Sequence, residues 1–212
     1  MTALTPEQIR VLGTLIEKEM STPDYYPMSL NSLTNACNQK NNREPVTNYD
    51  DNFVLQTLEE LRHLRLSVEI SGSGRVKKYG HRISDTLNLS NRELALMAVM
   101  LLRGPQTINE LKDRTERLHR FEDNEAVEST LRKLMERAPE PLAIFIPKQT
   151  GLREPRYMHL MGGPIDVTSI SDVLPTKRAS SDDGEKVHQL EHEIADLRGR
   201  VEKLEEVIRQ LT

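Results

Sequence analysis

Three glycines and five basic side chains share one short stretch, SGSGRVKKYGHR at residues 71–82. Glycines beside cations suit two kinds of chemistry. One is a phosphate cradle, where glycines let backbone amides approach an anion at a helix N-terminus. The other is a hairpin tip whose cations lie along an anionic backbone. The flanking residues separate the two. Leu66, Val68 and Ile70 alternate with Ser67, Glu69 and Ser71 ahead of the glycines, and residues 76–83 form a second β-like run behind them. No helix follows, so the stretch is expected to be a hairpin turn carrying Arg75, Lys77, Lys78, His81 and Arg82 on its tip and return strand.

Other chemistry is sparse. The sequence holds no Gly-rich phosphate loop, nucleophile elbow or metal-ligand cluster. Its six histidines are scattered, and the helical-spaced pair His188 and His192 falls where a coiled coil faces solvent. Cys37, the single cysteine, sits among apolar neighbours in LTNACNQ and reads as a packing residue. No catalytic residue, cofactor or metal is expected, and the chain does not read as an enzyme. With no apolar run near ~18 residues and no charged-then-apolar leader, the expected compartment is the cytoplasm, without a membrane partner.

The elements that position the cations come from a pattern the chain runs through twice. Thr5–Gln8 and Ser90–Glu93 both have capping-box form and open apolar-periodic helices. PMSLNSL at residues 27–33 then aligns with PQTINEL at 105–111, each a second helix behind a Ser or Thr cap. Val54, Leu58 and Leu61 align with Val127, Leu131 and Leu134 as the core face of a third helix. A β-like pair follows each third helix, the later one being LAIFI and RYMHLM around Gly151. Three helices and a hairpin, in that order, are the winged-helix form of the helix-turn-helix.

The expected fold class is therefore mainly α with small β-hairpins (α+β), as two tandem winged-helix domains at 1–85 and 86–162. A Gly-, Pro-, Ser- and Asp-rich linker at 163–184 leads to a helix at 185–212. There Val187, Leu190, Ile194, Leu197, Val201, Leu204, Ile208 and Leu211 alternate in steps of three and four. β-Branched a positions with Leu at every d favour a parallel two-stranded coil. The g-to-e pairs Lys186 with Glu191, Glu193 with Arg198 and Arg200 with Glu205 are all of opposite sign. A homodimer is expected.

Residues 10–46, which include the unusual ACNQKNNREPV, together with GRVKKYGHR at 74–82, resemble the YceH family of bacterial proteins over about residues 1–165. That resemblance implies two winged helices per chain and a DNA-binding-like architecture. The family's function is unknown, so it implies no catalytic residues.

For nucleic acid, the candidate contacts are Lys40 and Arg43 in the polar connection before the first unit's third helix, Asn48, Asn52, Gln56 and Arg62 on or beside that helix, and Arg75, Lys77, Lys78 and Arg82 on the wing. Asn and Gln suit adenine edges, and Arg suits guanine. Against this reading stand Asp50, Asp51, Glu59 and Glu60 beside the same helix, and a net charge of -4 from 29 basic and 33 acidic residues. Two partners thus remain open, double-stranded DNA or a protein docked by a winged-helix adaptor.

Overall fold

The computed structural model describes residues 2–70, 76–148 and 154–165. Arg75 with the SGSG turn, most of the expected linker, and every heptad position lie outside the described residues.

Side-chain caps set the helix starts. Thr5 caps α1 (Pro6–Ser21) in a reciprocal box with Gln8. After a 3-10 turn at Pro23–Tyr25 and the two-residue β1 (Met28–Ser29), Ser29 caps α2 (Leu30–Cys37). Asp50 caps α3 (Asp51–His63) by accepting from Phe53 N. The antiparallel strands β2 (Ser67–Ile70) and β3 (Lys78–His81) follow, with β3 central in a sheet of order β1-β3-β2.

A short α4 (Ile83–Leu87) leads into the second pass. Ser90 and Glu93 form the capping box of α5 (Asn91–Arg103), which ends at Gly104, a residue with φ +71° that suits glycine. Thr107 and Glu110 form the box of α6 (Ile108–Thr115), and Asp123 caps α7 (Asn124–Met135). Strands β4 (Ala143–Ile146) and β5 (Arg156–His159) close it.

The hairpins share a register. Ser67, Glu69 and Ile70 face His81, Tyr79 and Lys78, while Ala143, Phe145 and Ile146 face His159, Tyr157 and Arg156. Ahead of the second helix, Met28 bridges to Tyr79 and Gln106 bridges to Tyr157. The described residues thus form an α+β fold of seven α-helices and small antiparallel sheets, winged-helix-like in element order.

Packing ties the passes together through their first helices. A Cβ at Gly13 would stand 2.9 Å from Leu101 Cβ and 3.1 Å from Leu102 Cγ, so the missing side chain lets α1 and α5 approach closely. Around this crossing Val11, Leu12, Leu15 and Ile16 of α1 and Leu96, Met97 and Met100 of α5 are fully or almost fully buried, in one contiguous core. At about 1.5–3 kcal/mol for each large side chain removed from water, the shared crossing stabilises both passes. Residues on either side of position 85 belong to the same compact unit. The segment ahead of α1 also meets the segment after β5, since Leu4 N donates to Met161 O at 2.8 Å.

Candidate nucleic-acid interface

The third helix and hairpin of the first pass were the sequence's choice for this surface. On α3, Val54, Leu58 and Leu61 point into the core. That rotation leaves Asn52, Gln56 and Arg62 exposed, with Asn48 exposed just ahead of the helix. Lys40, Lys77, Lys78 and Arg82 are exposed as well. Exposure alone does not make these cations available to phosphate.

Arg62 is ion-paired with Glu59 one turn earlier on α3. Lys77 is paired with Glu69 across the hairpin at 3.0 Å, and the hydrogen bond and charge of Glu69 raise the lysine's pKa. Tyr79, buried at the centre of the sheet, lies within electrostatic reach of Glu59, Arg62, Glu69 and Lys77 together. The face around it therefore alternates in sign. Lys78 and Arg82 make no ion pair among the described residues. Two of the other carboxylates serve the scaffold: Asp50 caps α3, and Glu60 accepts from Gln8 Nε2 at 2.8 Å.

Arg43 departs from the expectation of a phosphate contact. Its side chain is completely buried. The guanidinium binds both oxygens of Glu17, at 3.1 and 2.6 Å, and also donates to the carbonyls of Ala36 and Asn42 and to Gln39. Burial alone would raise the pKa of Glu17, but Arg43 and Lys18 hold it below the usual carboxylate range. A planar fork satisfied on this many sides is a structural clamp. The rest of the connection is organised in the same way. Asn38 donates to Tyr49 O and accepts from Tyr49 N, Arg10 donates to Pro45 O, and Glu44 N donates to Leu102 O of α5. The amide-rich segment 38–50 thus fastens α1, α2 and α5 together, with Lys40 left outside.

His81 differs too. It is buried on β3 rather than displayed on the wing. Its Nε2 lies 2.6 Å from Glu19 of α1, without the alignment of a hydrogen bond, and its backbone N–H donates to Tyr26 Oη at 2.6 Å. Burial, with the nearby Glu19 charge, pushes the Tyr26 phenol well above its ordinary range. The adjacent Tyr25 is 79% exposed. Cys37 is fully buried and its thiol is pushed up to about 11 by burial, which makes it a poor nucleophile.

Sequence reasoning missed two features. Phe53, 40% exposed and packed on Tyr49 with ring centroids 4.9 Å apart, gives the outer face of α3 an apolar component beside its amides. Val46 in the connection is exposed as well. An aromatic one residue before Val54 signals this, because the helical period turns it away from the core. No group of three or more metal-ligating side chains occurs among the described residues.

Comparison with known sequences gives the chain its place. Residues 4–152 match the profile of a family described as "Protein of unknown function, DUF480". A UPF0502 protein of Solibacter usitatus is 48% identical over 94% of this chain and 95% of its own. The chain belongs to this family, the YceH-like UPF0502 proteins. A member from Vibrio atlanticus is 43% identical over 99% of both chains, and one from Pelobacter propionicus 45% identical over 97% of this chain and 94% of its own. Similarity within UPF0502 thus extends well past residue 165. No helix among the described residues is long and apolar enough to cross a membrane.

Proposed function

We propose that this UPF0502 protein is a non-catalytic, winged-helix-like adaptor of the cytoplasm. It docks a protein partner on the face of α3 and the first hairpin, as a homodimer paired through the heptad positions Val187 to Leu211. One observation carries the choice of partner: Arg62 and Lys77 are already matched by Glu59 and Glu69 around Tyr79. Affinity for duplex DNA comes largely from cations that displace condensed counterions, and a cation held by a carboxylate gives little of this. Amides beside exposed Phe53 and Val46, framed by paired charges, suit the mixed surface of a protein interface instead.

DNA association is the second reading. It is favoured by the exposed amides of Asn48, Asn52 and Gln56 and by Lys78 and Arg82, which make no ion pair among the described residues. Fluorescence titration of the full chain with mixed-sequence duplex DNA at about 50 and 200 mM salt separates the readings. The adaptor reading expects no binding, or binding without a salt slope. Salt-dependent binding that disappears in the K77E/K78E variant overturns it in favour of DNA. Partners captured by wild-type protein should remain with K77E/K78E and be lost with Phe53→Asp. Sedimentation should show a dimer that Leu197→Lys converts to monomer.

A further inference from the structure

A second surface, separate from the α3 face, gathers more cations than acids. Between α1, the 38–50 connection, α5 and α6 lies a cleft of about 500 Å³, a size suited to a small organic ligand. Lys18, Lys40, Arg103, Arg114 and Arg117 line it, and Glu17 is the single acid in the lining. Glu17 is itself bound at both oxygens by Arg43. A chain of net charge -4 therefore carries a locally positive cleft.

The cations differ in how far they are committed. Lys18 is shared with Glu17 and Gln39, and Arg114 with Glu110 and Gln106. Arg103 donates to Asn42, and partial burial followed by the charges of Arg114 and Arg43 lowers its pKa. Such crowding costs free energy until an anion arrives. Lys40 and Arg117 are exposed and make no ion pair among the described residues. Gln39, Asn41, Ser21 and Thr22 add neutral donors, and Ala98, Val99, Leu102 and Leu118 supply an apolar floor.

We propose that this cleft binds a small phosphorylated organic molecule, its phosphate held by Lys40, Arg103 and Arg117 and its uncharged part resting on the apolar floor. Arginines fit phosphate oxygens with two donors at once, and lysine adds a mobile point charge. The lining comes from both passes of the fold, so an occupant crosslinks them non-covalently. Bound ligand therefore raises the thermal stability of the whole unit.

Inorganic pyrophosphate is the probe for the phosphate part. Thermal unfolding of the full chain, at ionic strength held constant with sodium chloride, should show a saturable rise in Tm with pyrophosphate. Calorimetric titration should show a binding isotherm that the K40Q/R117Q variant weakens at least tenfold. Both replaced side chains are exposed, so the variant's ligand-free Tm should match the wild type and report an intact fold. A Tm shift no larger than that from chloride, or unchanged pyrophosphate affinity in the variant, overturns the proposal. A duplex DNA arm distinguishes the source of phosphate. DNA binding that K40Q/R117Q abolishes, in a protein that ignores pyrophosphate, assigns the cleft to nucleic-acid backbone and also overturns it.

Discussion

In the first pass residues 38–50 join α2 to α3, whereas in the second the shorter residues 116–123 join α6 to α7. Around these connections the side-chain caps, the hairpin register and the bridge from the second helix's approach to a tyrosine correspond. The longer connection has internal anchors, with Arg43 enclosed by Glu17 and carbonyls and Glu44 bonded to α5. The shorter carries an exposed Arg120–Glu116 pair at 3.3 Å. The two passes divide the labour. The first holds the joint, and the second offers it a helix.

The hairpins diverge in a parallel way. His81 and His159 occupy the same register position, and Nδ1 is buried without a hydrogen-bond partner in both. They differ in their charged neighbours: His81 Nε2 lies 2.6 Å from Glu19 of α1, whereas burial is the cause that depresses the pKa of His159. His159 is thus a polar filler whose neutral form the core favours.

The comparison breaks most readily at Arg43. Arg43→Ala leaves the carboxylate of Glu17 buried without its guanidinium and should cost about 3–5 kcal/mol in urea unfolding. Arg120→Ala in the other connection should cost under about 1 kcal/mol. Equal costs would mean the longer connection holds nothing.

His159 gives the next largest effect. Burial depresses its folded pKa to about 4 from 6.5, so the unfolded chain takes up a proton that the folded one resists. Its contribution to stability is complete above pH 6.5, falls as pH drops towards 4, and is level below that. The slope approaches about 1.4 kcal/mol per pH unit. His159→Leu should remove this slope from stability measured by denaturant titration across that window, and persistence of the slope would place its source elsewhere.

Gly13→Ala tests the joint itself. A methyl pressed against Leu101 Cβ should cost about 1–3 kcal/mol by overpacking, partly offset by about 1 kcal/mol of helix propensity. A more stable variant would show that α1 and α5 are not in close contact. The smallest effect is at Arg65, which follows α3 with φ +60°. Arg65→Gly should relieve about 1 kcal/mol of left-handed backbone cost, seen as a raised urea midpoint.

Much of the scaffold was legible because its signals are local. Thr5 with Gln8 and Ser90 with Glu93 lie within one helical turn, and Val54, Leu58 and Leu61 repeat at helical spacing, so short-range geometry decides them. Arg43 was not legible. Its burial depends on Glu17, far back on α1, and on carbonyls that the connection folds around it. Nothing in NQKNNREPV distinguishes an enclosed arginine from a solvated one. Gly13 was equally silent, since a mid-helix glycine reads only as lost propensity until α5 is known to cross there. At the candidate interface exposure was readable from period, but the pairing of Arg62 and Lys77 was not, because it depends on rotamers and strand register. The heptad spacing from Val187 to Leu211 lies outside the described residues.

The bond from Glu44 to Leu102 has a consequence for biosynthesis. A ribosome-bound chain extending only to residue 90 has α1, α2 and α3 but no α5, so the 38–50 segment lacks its outer anchor and Gly13 its neighbour. Only once residue 103 clears the exit tunnel can the amino-terminal half close. Stalled chains ending near residue 90 should accordingly be cut by protease within 38–50, and chains long enough for residue 103 to have left the tunnel should resist.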